Sequence, residues 1–509
     1  MLFCVLGRRK NKVFEHLDVR EPEAYRDAEA YLGFYKTLLP EIFEQKRVSG
    51  EVLLHPLLSC RLGLSPLQRK FGISLILAIS IAALLVPATI LFIVTGILWV
   101  VFALLIVWRL IIVLIGAGLR LWPRPPERIT SFEGIELPVY SILIAIYKEQ
   151  EMMPQLARAM QQIVWPPEKL DVQILFEADD GETLLAAELC DFPAGTRLQI
   201  VPIGEVKTKA NALNYGLARA RGDFICVYDA EDRPHPGQLL EAYRAFLNGG
   251  PKVSCLQAPL VADNQNESLI AAHWGLEYAT QFGLLLPAME ALNLPIPIGG
   301  TSNHFRVKDL QSAQGWDAWN VTEDADLGLR FSRFGRRVRM LRLPTYEDAP
   351  TQLPVWIAQR SRWIKGFVQT WLVLMRRPGV LIKEVGWQQF LAIQLALGGA
   401  IIAPIFHAPV MLLALMAFAS AEISLGVAGW SLLMFGLLAG FLSDVLAPGP
   451  WSFSRLGAVI TRPLYWPLHT FSAVRSFWEL VVAPQFWAKT PHSPHKTSKT
   501  NLCYTGSSQ

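Results

Sequence analysis

The chain has 509 residues, of which 52% are hydrophobic and 18% charged, with a formal net charge of +4. Its length exceeds one ordinary domain, and its charge content falls below the roughly 25% of a typical soluble protein, so the composition points to a membrane protein with a soluble insert. The small net charge and the lack of a dense basic tract exclude nucleic acid as a partner, and leave a basic rim facing anionic membrane lipid as the simpler use of the cations. Cys4, Cys60, Cys190, Cys226, Cys255 and Cys503 form no CxxC pair, so neither a zinc site nor a disulfide framework is indicated. Cys226 and Cys255 lie in apolar runs and read as buried small residues.

In chain order, Met1–Gly7 is apolar but is followed by Arg8, Arg9 and Lys10, the reverse of a signal peptide. Residues 1–71 read as an N-terminal cytosolic, mostly helical segment, helix-favouring from Tyr25 to Lys46. Residues 72–119 are almost uniformly apolar, broken by Pro87 and Arg109. At 1.5 Å rise they suffice to cross a ~30 Å hydrocarbon core twice, which predicts a transmembrane hairpin of roughly 72–93 and 96–117. The turn lacks Lys and Arg while the exits carry Arg69, Lys70, Arg120, Arg124 and Arg128. The positive-inside rule then places both ends in the cytoplasm.

Pro123-Arg124-Pro125-Pro126 reads as a stiff linker into a domain spanning 123–378. Apolar runs at Val139–Tyr147, Val172–Phe176, Leu198–Ile203, Phe224–Tyr228 and Val253–Ala258 alternate with amphipathic stretches at Gln150–Ile163, Glu182–Cys190, Lys209–Ala220 and Pro236–Leu247. That alternation predicts an α/β domain with a largely parallel sheet. Two further transmembrane helices are expected within 386–448, with a kink or a split at Pro404 and Pro409. The mix of Trp, Phe, Tyr, Pro and Arg over 449–490 suggests interfacial amphipathic helices, and 491–509 a disordered tail. Arg455, Arg462 and Arg475 keep the C-terminal side cytoplasmic.

Ligands of α/β sheets bind beyond the carboxyl ends of the strands, and polar residues gather there. Asp229-Ala230-Glu231-Asp232 ends an apolar run, and clustered carboxylates suit Mg²⁺ or Mn²⁺ bridging a diphosphate. Asp179 and Asp180, before Gly181, form a second acidic turn suited to a nucleotide's base and ribose, and Glu149 follows the first strand. Lys209 opens a helix with Lys207, where a bound diphosphate would offset their clash with the helix dipole. Thr322-Glu323-Asp324 starts another helix, with Thr322 as its cap. Asp324 is the choice for the general base that deprotonates a sugar hydroxyl, with Glu323 and Asp326 as substitutes in another register. Gln359-Arg360-Ser361-Arg362-Trp363 places Gln359, Arg362 and Trp363 on one helical face. Arg362 suits phosphate oxygens and Trp363 an acceptor sugar ring. His304, in Gly299-Gly300-Thr301-Ser302-Asn303-His304, is the one histidine expected near the chemistry. Trp356 and Trp371 read as packing or interface residues.

Taken in this order, the motifs resemble the family 2 glycosyltransferases of the cellulose synthase and hyaluronan synthase type, over roughly residues 120–490. The resemblance implies a GT-A fold inserted between transmembrane helices, and inverting transfer from a nucleotide-diphosphate sugar, usually a UDP-sugar. It assigns Asp179 and Asp180 to the nucleotide, Asp229 and Glu231 to metal and diphosphate, Asp324 to the base, and Gln359, Arg362 and Trp363 to the acceptor terminus and donor phosphate. The DxD motif reads Asp-Ala-Glu-Asp, which leaves Glu231 and Asp232 as alternative second ligands. A cyclic-dinucleotide-binding β-barrel after Trp487 is not expected. The primary expectation is synthesis of a β-linked polysaccharide at the cytosolic face of the cell membrane, coupled to export. The alternatives are a non-processive transferase with a lipid acceptor and a catalytically inactive membrane scaffold. The expected partners are a nucleotide-sugar donor, a glycan or lipid acceptor and membrane lipid, with any export or regulatory partner unidentified.

Overall fold

The computed structural model describes residues 54–122, 135–204, 206–420 and 425–486. The helix expected over Tyr25–Lys46, the Pro123–Pro126 linker and the 491–509 tail lie outside them. Two short 3₁₀ turns, Pro56–Leu58 and Cys60–Leu62, open the described chain. They are fastened to the body by Arg376, which donates to the carbonyls of Pro56, Leu57, Ser59 and Gly63.

Helix α1 (Pro66–Leu85) starts with a capping box between Ser65 and Gln68 and with Pro66 in its first turn, the sequence signature of a helix start. Pro87, which has no N–H to continue the ladder, separates it from α2 (Pro87–Leu121). The break falls at Val86, earlier than the turn expected after residue 93. At 1.5 Å per residue α2 runs about 50 Å, well past a bilayer core. Its last turns, with Ile112, Val113 and Gly116 buried, pack onto the soluble body. Gly116 permits that approach, because a Cβ there would lie 2.3 Å from the Leu284 carbonyl oxygen.

The body is built on β1 (Tyr140–Ile146), α3 (Met153–Gln161), β2 (Leu170–Glu177), α4 (Gly181–Glu188), β3 (Arg197–Val201), α5 (Lys209–Leu217), β4 (Phe224–Tyr228), β5 (Arg233–Pro234), α6 (Gln238–Gly249), β6 (Val253–Gln257) and β7 (Leu260–Ala262). Then follow α7 (Leu269–Thr280), α8 (Leu286–Ala291), β8 (Asn303–Arg306), α9 (Val307–Ser312), α10 (Glu323–Arg333), β9 (Arg337–Met340), β10 (Thr345–Glu347) and α11 (Leu353–Leu374). The main sheet has the order β3-β2-β1-β4-β8-β6-β9, and β5-β10-β7 form a smaller one. Strands β1 to β4 pair in parallel, whereas β8 runs antiparallel to both β4 and β6. This is the expected α/β architecture, with one reversed strand inserted. Along β1, two-residue alternation sends Ile142, Ile144 and Ile146 into one core and Leu143 into the other. Both faces are therefore covered, as parallel strands require. Cys226 and Cys255 are fully buried within the sheet.

After α12 (Pro378–Val385), α13 (Trp387–Ile393) runs through a π-helical stretch, Gln394–Gly398, into α14 (Gly399–Ala419). Pro404 and Pro409 lie inside α14, which remains continuous. Thr470 explains part of this: its hydroxyl donates to the Pro404 carbonyl at 2.7 Å and accepts from the Ala408 N–H at 3.0 Å, substituting for the missing rung. Helices α15 (Gly426–Leu446) and α16 (Phe453–Val482) complete the described chain. Among the described residues four helical runs are long and apolar enough to cross a membrane: 66–85, 87–121, 387–419 and 426–446. On α16 the polar groups Arg455, Arg462, Ser472, Ser476 and Glu479 face inward, while Leu456, Ile460, Leu464, Phe471 and Trp478 are exposed.

Candidate active site

A cavity of about 1420 Å³ opens beyond the ends of β1 and β4 and continues inward between α2, α14 and α15. The turn after β4 supplies its acidic centre. Asp229 meets the Lys209 ammonium, which also donates to the Gly300 carbonyl at 2.7 Å. A Cβ on Gly300 would stand 3.2 Å from Asp324 Oδ2 and 3.8 Å from Lys209 Nζ, so these groups from four separate segments are contiguous. Thr322, Glu323, Arg362, Gln359 and Trp363 also line the cavity.

The three acids after β4 part company. Asp229 and Glu231 line the cavity, while Asp232 is wholly buried. Its Oδ2 accepts from the Asp229 N–H at 2.7 Å and from the Thr301 hydroxyl, so Asp232 holds the turn from behind. Of the two alternatives left open by the sequence, Glu231 is the one exposed to the cavity. Burial and the neighbouring Asp229 push the Glu231 carboxyl up to about 7, and burial with Asp324 pushes Glu323 to about 7. Burial likewise raises Asp324. Burial pulls Lys209 down, but Asp229 and Glu323 outweigh it and hold the ammonium well above its usual value. Burial lowers Arg362 against the pull of Glu323, Asp324 and Asp229.

Other expectations are corrected by position. His304 points into the sheet: it meets the Tyr140 hydroxyl at 2.8 Å and Gln238 at 3.1 Å, is fully buried, and does not line the cavity. Burial alone lowers its pKa to about 3, leaving a neutral core imidazole. Asp180 caps α4, accepting from Thr183 at both N–H and hydroxyl and from the Lys148 N–H. Asp179 is exposed at the mouth, paired with Lys207 at 2.7 Å, and Lys207 in turn lies 3.5 Å from the Tyr147 ring centroid. Neither aspartate is among the lining residues, whereas Glu149, Lys207 and Lys209 are. Thr322 sits at the N-cap position of α10 but makes no side-chain cap. Its hydroxyl leans on Asn320 Oδ1 at 3.4 Å, and Asn320 donates to Thr370 on α11 at 2.8 Å. Asp326, the substitute base, is buried in an ion pair with Arg330.

Helix α11 enters the cavity with the expected face. Gln359 accepts from the Trp274 indole N–H at 3.0 Å. Trp363 lies parallel to Tyr278, with ring centroids 6.2 Å apart, and Tyr278 stacks on Trp274 at 3.6 Å. These rings give the cavity an aromatic wall that the sequence reading did not contain. Trp356 is fully buried and Trp371 bonds Gln394 at 2.9 Å, so both pack. Further inward, Glu277 gathers Arg360 at 2.6 Å, the Tyr465 hydroxyl at 3.0 Å, His469 and Arg462. Burial pushes the Glu277 carboxyl up, and Arg360, His469 and Arg462 together pull it well below the usual carboxylate range.

Among the described residues no three His, Cys, Asp or Glu side chains are grouped to hold a metal by themselves. The donor set still fits Mg²⁺ or Mn²⁺. Asp229 and Glu231 line the cavity with Asp232 Oδ1 buried behind them and without a hydrogen-bond partner, and Mg²⁺ takes one or two protein carboxylates with substrate phosphates completing the shell.

Residues 141–306 match the family model Glycosyl transferase family 2, and residues 224–477 match Glycosyl transferase family group 2. A probable glycosyltransferase of Sulfolobus acidocaldarius is 27% identical over 49% of this chain and 53% of its own length. A probable glucomannan 4-beta-mannosyltransferase of Arabidopsis thaliana is 25% identical over 48% of each. The chain thus spans about half the length of these curated relatives. A mannosyltransferase of Pyrobaculum calidifontis, solved in complex with GDP-Man and Mn²⁺, is 18% identical over 75% of this chain and 99% of that one, with a TM-score of 0.49.

Proposed function

We propose, from a chain that carries a family 2 glycosyltransferase domain with a GT-A-like α/β core, that it moves a sugar with inversion from a nucleotide-diphosphate donor to a growing β-linked glycan at the cytosolic face of a membrane. The observation that carries this is the single cavity lined by Lys209, Asp229, Glu231, Asp324, Arg362 and Trp363. A carboxylate meant to act as base, cations for a diphosphate and an indole face for a sugar lie in one place although they come from separate segments. We read the family resemblance further, as one to the cellulose and hyaluronan synthases carrying the QxxRW motif.

In this mechanism Asp324 takes the proton from the acceptor hydroxyl as that oxygen attacks the anomeric carbon. Its raised pKa keeps the proton acceptable once received. Arg362 and Lys209 receive the charge of the departing nucleoside diphosphate, which the buried surroundings strengthen. Trp363, backed by Tyr278 and Trp274, holds the acceptor ring. A divalent cation, when bound, would be held by Asp229 and Glu231 and would neutralise charge on the leaving group. UDP-sugars are the expected donors, and GDP-mannose enters as the competitor because of the mannosyltransferases among the similar proteins.

A second reading, transfer to a lipid acceptor, is favoured by the apolar inner arm of the cavity, where Phe102, Leu105, Ile106, Ala403 and Gly436 stand among membrane-length helices. The test is purified protein in lipid nanodiscs given radiolabelled UDP- and GDP-sugars with Mn²⁺. Long insoluble labelled product supports the first reading, and a labelled lipid supports the second. Neither transfer nor hydrolysis with any donor leaves only a scaffold. We place the protein in the cell membrane with its catalytic domain and both termini cytoplasmic, as the Lys and Arg distribution implies.

A further inference from the structure

Glu347 lies in none of the acidic motifs. It ends β10, the central strand of the small sheet, with β7 paired along Thr345–Glu347 and β5 along the first part. Two-residue alternation puts it on the same inward face as Thr345, and pairing with Ala262 of β7 holds its backbone on that side. The residue is 9% exposed and lines the cavity. Its Oε1 is buried without a hydrogen-bond partner. A buried carboxylate oxygen left without a donor costs free energy, and native structures rarely keep one unless something supplies the donor.

The neighbours narrow what that donor is. Glu347 shares the cavity with Asp229, Glu231 and Tyr278, and burial together with Asp232, Glu231 and Asp229 holds its carboxyl well above the usual carboxylate range. Glu347 thus lines the same cavity as the acidic centre and as the aromatic wall that ends in Trp363. A nucleotide phosphate has no proton to offer there. A sugar hydroxyl does, and the space beside a stacking ring and a diphosphate site is where a sugar ring would sit.

We propose that Glu347 is a specificity-determining residue that accepts a hydrogen bond from a sugar hydroxyl in this cavity. This rests on the glycosyltransferase reading of the site. The hydroxyl comes either from the donor sugar or from the acceptor ring, and binding measurements separate the two.

The test uses the full chain in nanodiscs, with Glu347→Ala and Glu347→Gln beside the wild type, and UDP-glucose or GDP-mannose as donor, whichever the wild type turns over. Glu347→Ala should lower kcat/KM for transfer about 10-fold, the worth of about one hydrogen bond. Glu347→Gln, whose amide oxygen still accepts, should recover part of that. If the donor sugar is the partner, the nucleotide sugar binds the Ala variant more weakly while the bare nucleoside diphosphate binds as before. If the acceptor is the partner, donor affinity is kept and the acceptor KM rises. Equal weakening of the nucleotide sugar and the bare nucleoside diphosphate, loss of Mn²⁺ affinity measured by paramagnetic resonance, or wild-type transfer by Glu347→Ala each overturns the proposal. A wild type that turns over neither donor overturns this inference, and the broader donor panel then decides whether the underlying reading fails with it.

Discussion

The mouth of the cavity and its inner end both carry ion pairs, built for different purposes. At the mouth Lys207 meets Asp179 with side chains 38% and 57% exposed. At the inner end Arg360 meets Glu277 at 11% and 23%, and Arg462 meets Asp444 at 6% and 5%. Exposed pairs contribute little to stability, so the mouth pair can open at small cost. Breaking a buried pair strands a charge, so the inner network is a strut. It ties α11 to α7 through Arg360 and Glu277, and α16 to α15 through Arg462 and Asp444. The same helix α11 thus lines the cavity with Arg362 and Trp363 and is braced by Arg360 next to them.

Four measurements sharpen or break that contrast, and the largest effect belongs to the proposed base. Asp324→Asn should lower kcat at least ~10³-fold, within the range for a lost general base, while nucleoside diphosphate affinity stays near that of the wild type. Turnover above a tenth of wild type would remove Asp324 from that role. Next, Glu277→Ala should destabilise the fold by about 3–5 kcal/mol, the usual cost of breaking a buried pair. A thermal unfolding scan that superimposes on wild type would show that the inner network is no strut.

A smaller effect concerns pH. Glu231 and Glu323 both sit at about 7 in the folded protein, above the ordinary carboxylate value of 4.5. The folded state then binds more protons than the unfolded one between about pH 4.5 and 7, so this contribution to stability is present at low pH and is lost as pH rises through that window. Melting temperatures of metal-free Glu231→Gln should fall less across it than those of the wild type, and parallel curves would contradict the assignment. The smallest change is expected for Lys207→Ala. Its melting temperature should be unchanged while the donor KM rises severalfold. A clear loss of stability would make the mouth pair structural after all.

Much of the core was legible because it rests on local chemistry. Phe224–Tyr228 is the strand the apolar run predicts, whereas α1 opens at Ser65-Pro66, ahead of the start expected at residue 72, on a capping signal that the hydropathy reading did not use. The hairpin break was misplaced because Pro87 ends the first helix before the apolar run shows any gap. The order of the acidic turns was legible as well, yet which acid serves the cavity was not. Asp229, Glu231 and Asp232 are chemically alike, and only the fold aims Asp232 at Thr301. His304 looked available in a Gly-rich stretch, but β8 pairs with both β4 and β6 and turns it onto Tyr140. Glu347 was missed because β10 is three residues long and its acidic end follows no extended apolar run. An acid closing a short strand beside Tyr346 and Asp348 was the available signal.

The sequence by itself determined the α/β core, the membrane-length helices and the segments that carry carboxylates, cations and rings. Periodicity, capping and hydropathy act between near neighbours, so they survive in one dimension. The tertiary structure decided which of those side chains share a cavity. Lys209, Asp229, Gly300 and Asp324 become neighbours only when α5, β4, β8 and α10 are packed on one sheet. The direction of each carboxylate is then set by partners far away in the chain.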